Sequence, residues 1–151
     1  MNNITLYPTW REAAKLLLND GLTFGSVIAR DTLIRLCGIA PATSIEDVDR
    51  FDLEVLQAIA SIKQHLLQSH RMYMFSSKAG QYTVAHPEDQ TSLALDTGRK
   101  AVKKAMLKMT DGVSYIRTDL LTSSERARNA DAQAKISQLG GMIKHQVAQI
   151  P

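Results

Sequence analysis

The chain has 151 residues, a formal net charge of +3, 44% hydrophobic residues and only 5% aromatic ones. That length suits one domain with a sizeable core, and a composition poor in aromatics favours packed helices over a β-sandwich or barrel. A single cysteine, Cys37, excludes an intramolecular disulfide and a cysteine-rich zinc site, which fits a cytoplasmic setting. The first ten residues lack the basic and apolar regions of a leader, and no run approaches the roughly 20 apolar residues of a membrane span, so no membrane partner is expected.

In chain order, Thr9 followed by Glu12 reads as a capping box opening a first helix, with Gly21 as its stop. Trp10, Ala13, Ala14, Leu17 and Leu18 recur at helical spacing and mark its inward face. Leu22 to Ala29 has extended character. A brief second helix, about Ala29 to Cys37, turns Leu33, Ile34 and Leu36 inward and stops at Gly38. Ser44 with Asp47 then marks the start of a long helix, where an acid complements the positive end of the helix dipole. Ile45, Val48, Phe51 or Asp52, Val55, Ile59, Ile62 and Leu66 keep intervals of three and four, which predicts the central core helix up to about Ser69.

The period then changes. Met72 to Phe75 and Gln81 to Val84 read as two strands joined by the glycine-containing turn at Ser77 to Gly80, and Pro87 ends the hairpin. A basic helix is predicted from about Glu88 to Met109, with Leu95, Gly98, Val102, Ala105, Met106 and Met109 inward and Thr110-Asp111-Gly112 as its close. After a connection from Val113 to Leu121, a second capping box, Thr122 with Glu125, opens a last helix reaching about Ala148. Gly140-Gly141 should interrupt it, at about 1 kcal/mol per glycine relative to alanine. The expected organisation is a module over residues 1–87 and a basic helical extension over 88–151, packed as one unit.

Helix, short extended segment, helix, helix and hairpin, over about Thr9 to Ala85, resembles small winged helix-turn-helix DNA-binding proteins of the phage and mobile-element type. The resemblance is architectural, carried by element order and by no diagnostic residue motif. It implies a mainly α protein with a winged-helix-like core of three helices plus a β-hairpin, followed by additional C-terminal helices. It also implies double-stranded DNA as the partner.

Charge patterning points the same way. Residues 1–70 hold six Lys/Arg against eight Asp/Glu, whereas residues 71–151 hold twelve against seven. A basic half of this kind suits a polyanion. From Arg99 to Lys108 there are five basic residues and no acid. Lys100, Lys104 and Lys108 repeat every four residues, with Arg99 and Lys103 beside them, so that one broad positive face is expected opposite Val102 and Met106. In a helix-turn-helix protein the second helix of the pair enters the major groove, but here it starts with Glu46, Asp47, Asp49, Asp52 and Glu54 around Arg50. Phosphate would repel that surface, which moves the expected contacts to the hairpin, through Arg71 and Lys78, and to Arg99, Lys100, Lys103, Lys104 and Lys108.

Signatures of catalysis are missing. His65, His70, His86 and His145 include no pair at the four-residue spacing of helical metal ligands, and Asp47 to Asp52 lacks the glycine and late glutamate of a calcium loop. The sequence contains no phosphate-binding glycine loop and no nucleophile elbow. Cys37 falls in an apolar helix and reads as packed. The expectation is therefore a non-enzymatic, regulatory DNA-binding protein without cofactor or metal, acting as a homodimer through its alanine-rich last helix. The competing expectation is a protein-interaction module or inhibitor that grips a host protein or nucleoprotein complex through the acidic long helix or the last helix.

Overall fold

The computed structural model describes residues 9–149, so what was expected of the first eight residues lies outside the described residues. Five α-helices and three short strands follow one another: α1 (Thr9–Asn19), β1 (Val27–Ala29), α2 (Arg30–Leu36), α3 (Ile45–His70), β2 (Met74–Lys78), β3 (Gln81–Val84), α4 (Pro87–Ser114) and α5 (Ser123–Ala148), with a 3-10 turn at Thr118–Leu120. The protein is mainly helical with a small antiparallel sheet. It divides into two compact units, one up to Thr91 and the other from Ser92 onward.

In the first unit, α1 already contains Thr9 and turns Ala13, Ala14 and Leu17 into the core, while Trp10 and Leu18 pack at its margin. From α2 comes Leu33, with Cys37 at its C-cap, and from α3 Val55, Ile59, Ile62 and Leu66, all buried. Full burial of one such aliphatic side chain contributes about 1.5–3 kcal/mol. Burial also pushes the Cys37 thiol up from its ordinary range, which disfavours the reactive thiolate.

The apolar stripe of α3 is shorter than its spacing implies. Ile45 is 93% exposed and Val48 43%, because the first turns of α3 project past the residues that α1 and the sheet supply. Leu53 and Leu56, on another side of the helix, are exposed as well. Ser44 stands at the N-cap in extended conformation, yet its side chain accepts no backbone N–H. Its hydroxyl donates instead to the Asp47 carboxylate at 2.9 Å, the Thr43 hydroxyl donates at 3.2 Å, and Arg50 pairs with the same carboxylate at 2.9 Å. These contacts, led by Ser44, hold the Asp47 carboxyl below the usual range. The helix ends at Arg71, whose φ of 58° makes it the one non-glycine residue in the left-handed region among the described residues.

The strand order is β1-β3-β2. The extended character of Leu22 to Ala29 condenses into β1, which pairs antiparallel with β3 in the register Val27 with Thr83 and Ala29 with Gln81. Beyond β1, Gly25 donates to the Val84 carbonyl at 2.8 Å and Val84 donates back to Ser26 at 2.9 Å. Gly25 has a φ of +83°, and a Cβ there would lie 2.8 Å from His86 Nε2, so only glycine fits. In the hairpin, β2 runs on to Lys78, into the turn expected at Ser77 to Gly80, because a bulge between Ser76 and Lys78 absorbs a residue. The Gly80 carbonyl accepts from the Arg30 N–H at 2.8 Å, which ties the hairpin turn to the start of α2.

In the second unit, α4 and α5 form an antiparallel helical pair. Gln133 donates to the Val113 carbonyl at 2.8 Å, and Met106 Cε approaches within 3.2 Å of where a Cβ on Gly140 would stand. The connection is tied down by Arg117 to Asp119 at 2.7 Å and by Arg126 Nε donating to the carbonyls of Thr118 and Leu121. The capping box expected at α5 is present in both halves: the Thr122 N–H donates to Glu125 at 2.8 Å and the Glu125 N–H donates to the Thr122 hydroxyl at 3.3 Å. The backbone bond from Thr122, with its hydroxyl bond, lowers the Glu125 pKa.

Two expected breaks do not occur. The α4 helix continues through Thr110-Asp111-Gly112 to Ser114, and α5 runs unbroken through Gly140-Gly141. The Thr110 hydroxyl donates back to the Met106 carbonyl at 2.9 Å, an arrangement compatible with helix. Gly112 and Gly141 stand in open space, with no atom within 4 Å of an added Cβ. Replacing both by alanine is therefore expected to stabilise this unit by about 1 kcal/mol per site, read as slower amide exchange in α4 and α5. Gly140→Ala should gain less, since Met106 would have to move.

Candidate nucleic-acid interface

The two units carry their basic residues differently. In the first, Lys78 is exposed at the end of β2, next to the bulge and the Ala79-Gly80 turn, where it is free to reach a phosphate. Arg71 is also exposed, but its left-handed backbone is what closes α3: its N–H donates to Leu67 at 3.1 Å and that of Met72 to Leu66 at 3.0 Å. Arg71 therefore holds a structural position as well as a charge. Tyr82 packs at the core margin, as strand alternation implies for at least part of the hairpin.

Lys63 is a cation that sequence reasoning passed over. Its ammonium lies 4.8 Å from the centroid of the Tyr82 ring, and desolvation lowers its pKa. The signal was obscure because Lys63 and Tyr82 belong to different elements, and only the packing of α3 on the sheet brings them together.

The N-terminal half of α3 keeps the acidic surface read from the sequence. Glu46, Asp49, Asp52 and Glu54 are exposed, and the cations that answer this group of acids are Arg30, at 3.2 Å from Asp52, and Arg50, at 2.9 Å from Asp47. Both pairs are solvent-accessible and contribute little stability.

In the second unit the five basic residues of α4 fall into two sets. Lys100, Lys104 and Lys108 are exposed and rise in steps of about 6 Å along one stripe. Arg99 and Lys103, expected beside them and opposite Val102 and Met106, share a cavity lining with Val102 and Met106. The correction follows from helical geometry. At 3.6 residues per turn, positions 99, 102, 103 and 106 lie within one third of the circumference, and 100, 104 and 108 lie outside it. Lys100 pairs with Asp96 at 3.0 Å, with 80% of its side chain exposed, so the pair is easily exchanged for a phosphate.

The apolar stripe expected on α5 divides as well. Ile136 and Ile143 line the cavity between α4 and α5, whereas Leu139 and Met142 are 43% and 60% exposed. The volume of that cavity is about 1130 Å³.

Among the described residues no group of three or more His, Cys, Asp or Glu is placed to hold a metal, and no helix is long and apolar enough to cross a membrane. The His65 ring meets Trp10 and His70 edge-on, with centroids 5.8 and 5.5 Å away. Compared with protein-family models, curated proteins and solved structures, the chain matches none of them.

Proposed function

We propose that this chain is a non-enzymatic double-stranded DNA-binding protein with a regulatory role, and that its first unit is a winged-helix module. The observation that carries the reading is the exposed row Lys100, Lys104 and Lys108, answered on its own helix by Asp96 alone among the described residues. An array of this kind suits a phosphate backbone. The winged-helix reading is supported by the order α1, β1, α2, α3, β2, β3 and by the pairing of β1 with β3, which makes the β2-β3 hairpin the wing.

Contact through phosphates, and not base reading by α3, is what the acids on the first turns of α3 favour. The wing then contributes Lys78, with Arg71 at its base. A two-fold duplex site would engage two copies of the chain, and exposed Leu139 and Met142 on α5 are apolar surface available for their pairing.

The test is an electrophoretic shift with random duplex DNA across a salt series. Three phosphates neutralised by the lysine row would give a slope of log K against log salt of about −3, with further steepening from the wing. A flat response would reject the reading. Within the wing, Lys78→Ala and Arg71→Gly should each weaken binding without loss of stability. Lys78 is exposed, and glycine is the residue that the left-handed backbone at Arg71 favours. If both variants bind as the parent does, contact is confined to the second unit.

A further inference from the structure

Neither α4 nor α5 contains a buried residue, although the two helices lie side by side. Their apolar side chains line an open groove whose walls include Val102, Met106, Val113, Ile136, Ile143 and Val147. Two helices alone enclose no core, and small helical units of this size depend on further packing for stability. The groove runs from Arg99 to Ser114 along α4, about 22 Å, which is the length of four helical turns.

Charge decides what fits there. The lining includes Arg99, Lys103 and Lys144 and no carboxylate. Lys103 and Lys144 have no ion pair among the described residues, in contrast to Lys100 and Lys135, which each have a carboxylate four residues earlier on the same helix. A second copy of the same groove, laid face to face, would set these cations against their equivalents, a juxtaposition of like charges that opposes association. A DNA phosphate backbone has the right charge but offers no apolar surface for Val102, Met106, Ile136 and Ile143.

We propose that the α4–α5 groove is a docking site for an acidic amphipathic helix of a partner protein, three to four turns long. Apolar side chains of that helix, at intervals of three and four, pack between α4 and α5 and complete a three-helix core. Its flanking carboxylates pair with Lys103 and Lys144, which fix its position and exclude basic helices. Lys144 gains a role that sequence reasoning missed, since it lines the same groove as Lys103 only once α5 folds back along α4. This site is separate from the row Lys100, Lys104 and Lys108, and does not depend on DNA binding.

The experiment uses the full chain and two fluorescent synthetic helices of about 20 residues with the same leucine spacing, one flanked by glutamates and the other by lysines, followed by anisotropy. The glutamate-flanked peptide should saturate and bind at least about tenfold more tightly than its lysine-flanked counterpart. Lys103→Glu with Lys144→Glu should reverse that preference with helicity retained, both positions being exposed. Lys100→Glu, Lys104→Glu and Lys108→Glu together should leave peptide binding within about twofold, so that failure of the DNA reading and failure of the groove are told apart. Equal affinity for the two peptides, or no saturable binding of either, overturns the proposal. Sedimentation of the unliganded chain as a dimer that Met106→Glu dissolves would also overturn it, by assigning the groove to a second copy.

Discussion

Leu66→Ala is expected to destabilise the first unit by about 2–5 kcal/mol, whereas Ile45→Ala changes stability by less than about 0.5 kcal/mol. Both residues lie on the apolar stripe read from α3, and both are branched aliphatics near opposite ends of that helix. Leu66 is 0% exposed within the cluster formed by α1, α2, α3 and the sheet, so truncation removes buried methyl groups and leaves a cavity that rigid neighbours fill only in part. Ile45 is 93% exposed, so alanine costs it almost no buried surface. Against a total stability of about 5–15 kcal/mol, the first change approaches global unfolding of a marginal domain. Urea denaturation midpoints measure the difference, and equal losses at both positions would show that the first turns of α3 are covered.

The second large effect is expected for the combined change Lys100→Glu, Lys104→Glu and Lys108→Glu, which should abolish duplex binding near physiological salt. Each cation that neutralises a phosphate contributes about −0.9 to the salt slope, so the row's share of about −3 should be lost and only the wing's share of the slope should remain for any residual binding, with the charge of one stripe changed by about six units. Stability should hardly change. The reversal breaks the exposed Lys100–Asp96 pair and places a second carboxylate four residues after Asp96, each costing a few tenths of a kcal/mol, while it replaces lysine repulsions along the row by glutamate repulsions of similar size. Circular dichroism checks that helicity is kept. If affinity and slope remain, the row is a solvated helix face and the DNA reading falls. Arg99 and Lys103 are left out of this variant because they face the groove.

Local signals were legible where the physics is local. The capping box at Thr122 and Glu125 forms as read, because both partners lie within one helical turn and need no tertiary neighbour. The hairpin, the stops at Gly21 and Gly38 and the start of α3 after Ser44 also appear near their expected places. Burial within α1 follows its spacing, since a short helix packed along its whole length shows the core one face. Gly112 and Gly140-Gly141 misled for a complementary reason. Glycine lowers helix propensity by only about 1 kcal/mol, and continuous hydrogen bonding on either side, with the close approach of Met106 to Gly140, outweighs that cost.

By itself, then, the sequence determined a mainly helical protein with a short hairpin after a long helix, an acidic start to that helix and a basic second half, because composition, period and charge are properties of the chain. Only tertiary structure decided how much of each stripe is covered. Ile45 and Val48 continue the spacing of Val55 and Ile59, yet they stand outside the core, since burial depends on how far neighbouring elements reach and spacing says nothing of that. In the same way, the five cations from Arg99 to Lys108 are one run in sequence, but the line along which α5 packs divides them. Arg99 and Lys103 join Lys144 at the groove and Lys100, Lys104 and Lys108 face water, because a helix has one side towards its neighbour and the partner's position selects which side that is.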